Sequence, residues 1–404
     1  MRDMDQQKRR VLITGASVAG TTLAWWLNHW GFDVTVVERH PQFRDGGQNI
    51  DVRGAGRDVL HKMRLEDVVA RNGTGEEGIR FVNENNETIA EFDVDEIGPD
   101  GPTAELEILR GDLARILFEA CGHDTRFRFG DSIEDIDDQK DGAVVTFKSG
   151  NQENYDLVIV AEGVGSSTRE MFFMGENEPR WLDVIMGYFT IPKSESDVDH
   201  CRIYTAGEGR SIWLRPDNKG TTRVILVVQK KPDEEDALSP EEQKEFLRQH
   251  FHDAGWEAPR VLQGLDTADD LYFDVLRQVK MDRWSSGHVV LTGDAAWCAT
   301  PISGIGTTLA IVGAYVLAGE LATAKDLDTA LHRYDELMRP YVEKGQGVPK
   351  IAPKMLQPQT RFGVALQHAV LKVAASPGVK KIVTKFFTPD ADEFTVPDYD
   401  RGRR

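Results

Sequence analysis

RVLITGASVAG, residues 10–20, joins a short apolar strand to a helix through a glycine turn. Gly15 permits the tight turn, and Gly20 lets the helix lie close against the sheet. The middle position of the usual glycine pattern is Ser17, whose small side chain still allows the backbone to approach a pyrophosphate. Phosphate oxygens would rest on the N–H groups of Val18 and Ala19, at the positive end of the helix. The stretch predicts the first half of a β-α-β dinucleotide-binding unit.

An acidic residue ends the next predicted strand, as such a unit requires. Residues 33–37 are rich in β-branched side chains, and Glu38 follows 23 residues after Gly15. A carboxylate there accepts hydrogen bonds from both ribose hydroxyls and repels a 2′-phosphate, which favours FAD or NAD over NADP. Arg39, directly after it, is a further candidate contact to the cofactor. The unit alone does not separate FAD from NAD, and a glycine turn without any dinucleotide is the alternative.

Composition restricts the class of partner and the location. The formal net charge of −19 disfavours nucleic acid and acidic membrane surfaces as partners, although a single pocket can still be basic. The cysteines, Cys121, Cys201 and Cys298, are widely spaced and form no CxxC pair, which argues against a disulfide framework and a zinc site. We therefore expect no bound metal and a reducing, cytoplasmic location.

Two apolar stretches resemble export or membrane segments. Basic residues 8–10 precede the mostly apolar residues 11–27, as in a signal peptide, but the glycine spacing and the nearby Asp3 and Asp5 favour the dinucleotide-binding unit. Residues 309–322 contain Glu320 and two glycines and are short for a bilayer. The sequence predicts a buried helix there and no membrane span.

A strand-rich middle interrupts the alternation of strands and helices. Residues 181–229 give consecutive strands without helices, and a buried strand at 289–291 restores the earlier pattern. Strands inserted in this way indicate a separate antiparallel sheet. The predicted fold class is α/β, a Rossmann-like domain with an inserted antiparallel-sheet domain and C-terminal helices.

Three further motifs follow in order along the chain. They are RGDL at 110–113, AEG at 161–163 with Ser166 and Arg169, and TGDAA at 292–296 followed by Pro301, Gly304 and Gly306. With the opening turn, the set resembles the group A flavoprotein monooxygenases, the aromatic-hydroxylase type that includes the tetracycline-inactivating flavin enzymes. The resemblance spans about residues 8–345 and implies that FAD, rather than NAD, occupies the first site.

The resemblance implies roles for the later motifs. Asp294 would hydrogen-bond the ribityl chain of FAD, with Gly293 before it as a further cofactor contact, and the backbone of Gly304, Gly306 and Thr307 would approach the flavin pyrimidine ring. Pro301 would pack beside the isoalloxazine ring, so that Pro301, Gly304 and Gly306 are the residues expected nearest to the chemistry. A helix N-terminus aimed at this ring stabilises the anionic reduced flavin.

The resemblance implies further cofactor contacts. They are Gly47 and Asp51 in a glycine-rich loop, for which a plain surface turn is the alternative, Arg110 before its helix, and Glu162 with Gly163. This chain departs from the family pattern at Glu162, where the family has Asp, at Trp297, where His is common, and at Thr307, where Asn is usual. Because the motif at Glu162 also touches the nicotinamide nucleotide in the family, the sequence leaves open whether the donor is NADH or NADPH.

The family mechanism implies transient use of the hydride donor. NAD(P)H reduces FAD, O2 adds to form a C4a-hydroperoxide, and one oxygen atom passes to an aromatic or polycyclic, polyketide-like substrate. Since the sequence contains one strand-glycine-helix unit, the donor has no second Rossmann domain. The protein's task is then orientation and exclusion of water.

The substrate is expected between the flavin and the strand-rich middle. Candidate contacts are aromatic side chains and one guanidinium, namely Tyr188, Tyr204, Trp213, Arg215 and Phe273. No base for deprotonating a phenol is apparent in the sequence. The alternatives are a flavin oxidoreductase that does not insert oxygen and a non-catalytic flavin-binding protein, and both a monomer and a homodimer are compatible with the chain.

The expected domain boundaries follow from these assignments. The FAD-binding domain is discontinuous, with residues 1–75, 105–175 and 280–345, and the substrate domain takes residues 76–104 and 176–279. Residues 346–390 are expected to form C-terminal helices, split at Pro377–Gly378. The tail, 391–404, has a polar composition typical of disordered segments.

Overall fold

The computed structural model describes residues 8–44, 46–93, 106–347, 349, 356–376, 378–379 and 394–400. Residues 94–104 of the expected substrate domain and most of the second terminal helix expected after Pro377 lie outside these residues. The predicted α/β class is confirmed: a mainly parallel sheet and an inserted, mainly antiparallel sheet form the two halves of the molecule.

The mainly parallel sheet carries the opening β-α-β unit. Its strands are β1 (Arg10–Thr14), β2 (Asp33–Glu38), β7 (Arg126–Phe129), β11 (Leu157–Val160), β17 (Ser285–Ser286) and β18 (Val289–Leu291). Within the described ranges the order of these strands is β17-β18-β11-β1-β2-β7, and all pairs are parallel except β17 with β18. The central strands are almost entirely apolar, as expected of parallel strands covered on both faces.

The second sheet contains the strands of the middle region. The strands are β4 (Gly78–Val82), β5 (Thr88–Asp93), β12 (Arg180–Pro192), β13 (His200–Gly207), β14 (Arg210–Pro216), β15 (Thr221–Val228) and β16 (Tyr272–Gln278). Their order in the sheet is β16-β12-β15-β14-β13-β4-β5, and neighbouring strands are antiparallel except β13 and β4.

Two small sheets complete the strand inventory of the described chain. A two-stranded ribbon joins β3 (Asn49–Asp51) to β6 (Glu107–Leu109), and a three-stranded sheet joins β8 (Ile133–Gln139), β9 (Gly142–Phe147) and β10 (Gln152–Tyr155). The ribbon matters for function, because it brings the glycine-rich loop before Asn49 next to Arg110.

Helices cover both large sheets. Their bounds are α1 (Val18–His29), α2 (Gly54–Lys62), α3 (Glu66–Arg71), α4 (Arg110–Ala120), α5 (Ser167–Phe172), α6 (Pro240–Phe251), α7 (Ala258–Thr267), α8 (Asp294–Trp297), α9 (Gly306–Thr323), α10 (Leu327–Gly345) and α11 (Arg361–Ala374). Helices α1, α4 and α9 pack together beside the parallel sheet, and α11 packs on β5 and β13. Helix α6 begins with the capping box that Ser239 and Glu242 form.

The second sheet has two different faces because side chains alternate along each strand. Phe189, Leu214 and Leu226 belong to a cluster that α6 and α7 cover. Met186, Tyr188 and Ile225 point to the other face and pack with Ile302, which comes from the segment before α9. We call this second face the cleft face, because it is turned toward the parallel-sheet half.

Helix α9 is the stretch of the described chain that is long and apolar enough to cross a membrane. In this fold 78% of it is buried, and it packs against α1, α2 and α10. It is therefore a core helix, as the interrupting Glu320 predicts.

Residues 394–400 pack on the rest of the protein, although the polar composition of the tail is typical of disordered segments. The ring of Tyr399 lies against Gly319, where a Cβ atom would be 2.1 Å away, and its hydroxyl donates to Glu320 Oε1 at 2.8 Å. Tyr315 donates to the carbonyl of Pro397 at 2.6 Å, and Phe394 stacks on Tyr341. These few side chains hold the tail on α9 and α10, an arrangement that depends on distant partners and leaves no local pattern in the sequence.

This packing predicts the effect of substitutions at Tyr399. Tyr399→Ala removes a buried ring and the hydrogen-bond donor of a buried carboxylate, and we expect it to lower the free energy of unfolding by about 3 kcal/mol. Tyr399→Phe keeps the ring and should lower it by about 1–2 kcal/mol. Urea denaturation followed by tryptophan fluorescence measures both. Equal stability of Tyr399→Ala and wild type would contradict the packed tail.

Candidate functional site

The turn after β1 lies against the turn after β11 with no room for side chains. Gly15 has φ +108° and donates its N–H to the carbonyl of Val37 at 2.8 Å. A Cβ atom on Gly15 would be 2.4 Å from the carbonyl oxygen of Ala161, and one on Gly20 would be 1.9 Å from that of Gly15. Both glycines are therefore required for the start of α1 to reach the carboxyl edge of the sheet, where nucleotides bind in such folds.

The carboxylate of Glu38 lies beside this turn. Its Oε2 accepts a hydrogen bond from the N–H of Ala16 at 3.0 Å, and its Oε1 accepts one from His40 at 2.9 Å. The half-buried side chain is thus held in place, with lone pairs left for ribose hydroxyls. Ser17 is exposed at the N-cap of α1 and makes no side-chain capping bond, and Arg39 is exposed at the rim.

The carboxylate of Glu162 accepts its hydrogen bonds from groups of the protein itself. The donors are Thr14 Oγ1 at 2.6 Å, Ser166 Oγ at 2.7 Å, Thr168 Oγ1 at 2.6 Å and the N–H of Thr168 at 3.0 Å. The side chain, one methylene longer than Asp, bridges the end of β1 and the first turn of α5. Gly163 follows with φ +84° in the same turn.

Arg169 connects two of the sequence motifs, which the sequence alone did not show. Its buried guanidinium donates to the carbonyl of Val164 at 2.9 Å and to that of Ala295 at 3.1 Å. The turn after β11 is therefore tied to α8, which begins directly after β18. Trp297, at the end of α8, is buried against Trp284 and Tyr334.

The glycine-rich loop and Arg110 meet through the β3-β6 ribbon. The N–H of Arg110 donates to the carbonyl of Gln48 at 2.9 Å, and a Cβ atom on Gly47 would be 2.8 Å from Arg110 Nε. The guanidinium also lies 5.9 Å over the ring of Tyr272. Asp51, at the end of β3, pairs with Arg53 at 2.8 Å.

Asp294 opens α8 and lies near Tyr272 and Asp274 of β16. Gly293, with φ +60°, brings the turn so close to α1 that a Cβ atom there would be 2.9 Å from Cβ of Ala19. The side chain of Asp294 is accessible to solvent, yet the surrounding protein raises its pKa through desolvation, and Arg110 opposes that rise. A carboxylate that is exposed to solvent and yet desolvated by the protein around it is expected where a bound molecule takes the place of water.

The segment before α9 offers backbone N–H groups to the site, in addition to the side chain of Ile302. Pro301–Ser303 forms a 3-10 turn, Gly304 follows with φ +69°, and α9 starts at Gly306 and Thr307. Ile305 provides no side-chain cap, so the first N–H groups of α9 and the positive end of its dipole are available to an anion. Thr300, before Pro301, has φ +76°, a strained conformation for a β-branched residue.

The five expected substrate contacts separate between the two faces of the second sheet. Tyr188, Trp213 and Arg215 lie on the cleft face. Tyr204 and Phe273 pack in the cluster beneath α6 and α7, where the Tyr204 hydroxyl donates to the carbonyl of Ala254 at 2.9 Å. The structure brings the first three together and places the other two on the opposite face.

Arg215 is held in a buried ionic network, which we call the Arg215 network. Its Nε and Nη2 donate to Glu76 at 2.9 and 3.0 Å, and Nη2 donates to Glu107 at 2.6 Å. Glu107 also accepts a hydrogen bond from Asn49 at 2.8 Å and one from Thr74. The network therefore joins the cleft face to the β3-β6 ribbon.

Burial raises the pKa of Glu76 to about 8, although Arg215 lowers it. The Arg215 network consequently contains a carboxyl that is easier to protonate in the folded chain than in the unfolded one.

Comparisons with known proteins agree with this geometry. Residues 8–345 match the family described as FAD binding domain. The chain is 38% identical to a flavin-dependent monooxygenase from an unknown prokaryotic organism, over 84% of this chain and 88% of that protein, and 34% identical to monooxygenase CTB7 of Cercospora beticola, over 99% of both. It is similar to the crystal structure of the tetracycline destructase Tet(55), with 32% identity, a TM-score of 0.83 and coverage of 98% and 100%.

The close approach at Gly15 predicts how FAD binding responds to substitution. In Gly15→Ala the positive φ costs about 1–3 kcal/mol and the contact with Ala161 is relieved only if the turn moves, so the affinity for FAD should fall at least about tenfold. Ser17→Gly, two residues away, should bind FAD as wild type does. Quenching of flavin fluorescence gives both dissociation constants. Unchanged affinity in Gly15→Ala would show that the turn is not the nucleotide site.

The raised pKa of Glu76 predicts a pH-dependent stability. Between the unfolded value near 4.5 and about 8 the folded state binds the extra proton, so this group's stabilisation is present at low pH and is lost as the pH rises through that window. The expected slope is about 1.4 kcal/mol per pH unit. Glu76→Gln should remove it, and Glu134→Gln, an exposed control, should not. The test is urea denaturation from pH 5 to 8.5, and parallel curves for all three proteins would contradict it.

Proposed function

This chain belongs to the FAD-binding-domain family of flavin-dependent monooxygenases, which are oxidoreductase enzymes, and we propose that it uses NAD(P)H and O2 to hydroxylate an aromatic or polycyclic small molecule. One observation carries the proposal. The exposed Asp294 is close enough to Tyr272 and Asp274 on the cleft face to raise their pKa values, and Ile302, from the segment before the uncapped start of α9, packs into the cluster of that face. A cofactor-binding edge and an apolar wall thus enclose one cleft.

The residues present fit FAD along an extended path. Glu38 would accept hydrogen bonds from the adenosine ribose, the N–H groups from Ser17 to Gly20 would bind the pyrophosphate, and Asp294 would bind the ribityl hydroxyls. Gly47 and Arg110 would border the flavin from the ribbon side. When bound and reduced, FAD supplies the two electrons with which O2 is activated for transfer of one oxygen atom.

The start of α9 has an electrostatic part in this reaction. A helix dipole stabilises nearby negative charge by roughly 1 kcal/mol in partly buried surroundings, and α9 has no acidic side chain in its first turn to cancel it. Pro301 and Gly304 would shape the backbone so that these N–H groups face the flavin ring. The N–H groups would therefore stabilise the anionic reduced flavin ring. The segment that carries them would also help to exclude water from the space between the flavin and the substrate.

The hydride donor would dock transiently. We assign the opening β-α-β unit to FAD, so NADH or NADPH approaches from the rim of the cleft. Since Glu162 already accepts four hydrogen bonds from Thr14, Ser166 and Thr168, we expect the donor to be recognised by other groups of that rim. This leaves the choice of donor to measurement.

The substrate would lie against the cleft face, next to Tyr188 and Trp213. The relatives whose structures are tetracycline destructases act on a polycyclic compound, as their name states, and a polycyclic phenol or enol is the substrate class we propose. The three cysteines are free and buried, which agrees with a reducing cytoplasm as the place of action.

Turnover measurements test the proposed function. The purified protein should be yellow with about one FAD per chain, and NADH or NADPH oxidation with O2 uptake should accelerate at least about tenfold when a substrate from a panel of tetracycline, hydroxyanthraquinones and simple phenols is added. Asp294→Ala should release FAD more readily. A colourless protein that cannot be reconstituted would refute FAD binding. Hydride oxidation without any oxygenated product across the panel would favour the non-oxygenating oxidoreductase.

A further inference from the structure

We propose that Asp274 accepts the proton of an acidic hydroxyl group of the substrate, so that the enzyme selects phenols or enols and activates them by deprotonation. This inference rests on the proposed function and adds to it the residue that recognises and deprotonates the substrate hydroxyl. The sequence showed no such base, because nothing local distinguishes Asp274 from the many other carboxylates of this acidic chain.

The strand register places Asp274 on the cleft face. In the pairing of β16 with β12, Asp274 is opposite Met186 and Tyr272 is opposite Tyr188. Tyr272 and Leu276, two residues before and after Asp274, pack in the cluster that contains Ile302. Because side chains alternate along a strand, Asp274 points in the same direction as these neighbours.

Among the described carboxylates near the cleft, Asp274 and Asp294 are the two whose side chains make no hydrogen bond or ion pair with the protein, and Asp294 is the one we assign to the cofactor. Within the described chain the half-exposed side chain of Asp274 has no hydrogen-bond or ion-pair partner, whereas Glu76 and Glu107 are bound by Arg215. Asp51 is bound by Arg53. Asp274 is thus available to a molecule in the cleft.

Its electrostatic surroundings suit a base that works near neutral pH. Burial raises the pKa of Asp274 to about 6; Arg277 and Arg110 lower it, and Asp294 raises it. A general base is most effective when its pKa lies near the operating pH. Asp274 is therefore ionised at pH 7 and yet basic enough to take a proton from an acidic hydroxyl.

The other titratable groups around Asp274 are poorly suited to that task. Burial raises the pKa of Tyr188 and of Tyr272, and the charge of Asp274 raises both further. Burial likewise raises the pKa of Cys298. These three side chains stay protonated, and Asp294 is the group we assign to the cofactor, so Asp274 is the base that remains among these neighbours.

The proton balance is simple. The O–H bond of the substrate breaks, its proton moves to the Asp274 carboxylate, and the electron pair stays on the substrate oxygen. Delocalisation of this charge makes the ortho or para carbon of a phenol, or the α-carbon of an enol, a better nucleophile toward the oxygen atom that is transferred. When the product forms, Asp274 returns its proton to the substrate oxygen and the carbon's own proton goes to solvent. A substrate carboxylate is disfavoured at this place, because Asp274 and Asp294 would repel it.

Binding of two matched probes tests the inference separately from catalysis. For the FAD-loaded, oxidised protein at pH 7, 2-hydroxyanthraquinone should bind about tenfold or more tightly than 2-methoxyanthraquinone, because a hydrogen bond to a charged acceptor is lost in the ether. The preference should disappear at pH 5, where Asp274 is protonated, and in Asp274→Asn. Asp269→Asn, an exposed control just before β16, should retain it. Quenching of tryptophan fluorescence reports the affinities.

Kinetics then test the catalytic part with whichever panel compound is turned over. Asp274→Asn should lower kcat/KM about a hundredfold and remove its rise with pH near 6, as loss of a general base does, while the FAD content stays at the wild-type level. Failure of the proposed function appears as missing FAD or missing oxygenation in the wild type. Equal affinities for the two anthraquinones, no binding of either, or an unchanged pH profile in Asp274→Asn would overturn the role of Asp274.

Discussion

The structure depends on three close contacts at the carboxyl edge of the parallel sheet, each of which leaves no room for a Cβ atom on a glycine. Gly15 lies on Ala161, Gly20 on Gly15, and Gly293 on Ala19. These contacts bring the turns after β1, β11 and β18 together beside the start of α1. Any Cβ atom at the three glycines would separate them, so the positions of Glu38, Glu162 and Asp294 all follow from this one constraint.

The two halves of the molecule are joined by polar and apolar contacts of different kinds. On one side the Arg215 network links the second sheet to the ribbon that carries Arg110. On the other, Ile302 packs into the cleft-face cluster. A buried ion pair adds little stability when its desolvation cost is counted, but removing one partner leaves an uncompensated charge. We therefore regard Arg215 as fixing the position of the ribbon relative to the substrate wall rather than as a substrate ligand.

The sequence predicted those features that local pattern determines. The opening β-α-β unit, the order of the motifs and the buried core helix at Glu320 follow from glycine spacing and apolar runs, and FAD as cofactor follows from the family resemblance. The face of the sheet on which a strand residue lies cannot be predicted from such patterns. Alternation shows which residues of one strand share a face, but not which face that is, and a register shift between Trp181 and Ile185 interrupts the alternation. Tyr204 and Phe273 were for this reason grouped with Tyr188, while Asp274 was overlooked. The contacts of Glu162 and Tyr399 depend on residues far away in the sequence, so local sequence patterns do not predict them either.

Isotope labelling of the product distinguishes a monooxygenase from a flavin oxidoreductase that does not insert oxygen. When the enzyme turns over a panel substrate with NADPH or NADH under ¹⁸O2 in ordinary water, mass spectrometry should find one ¹⁸O atom in each product molecule and the other in water. A product that carries oxygen from solvent alone, or hydrogen peroxide as the sole fate of O2, would contradict the assignment of this chain as a monooxygenase.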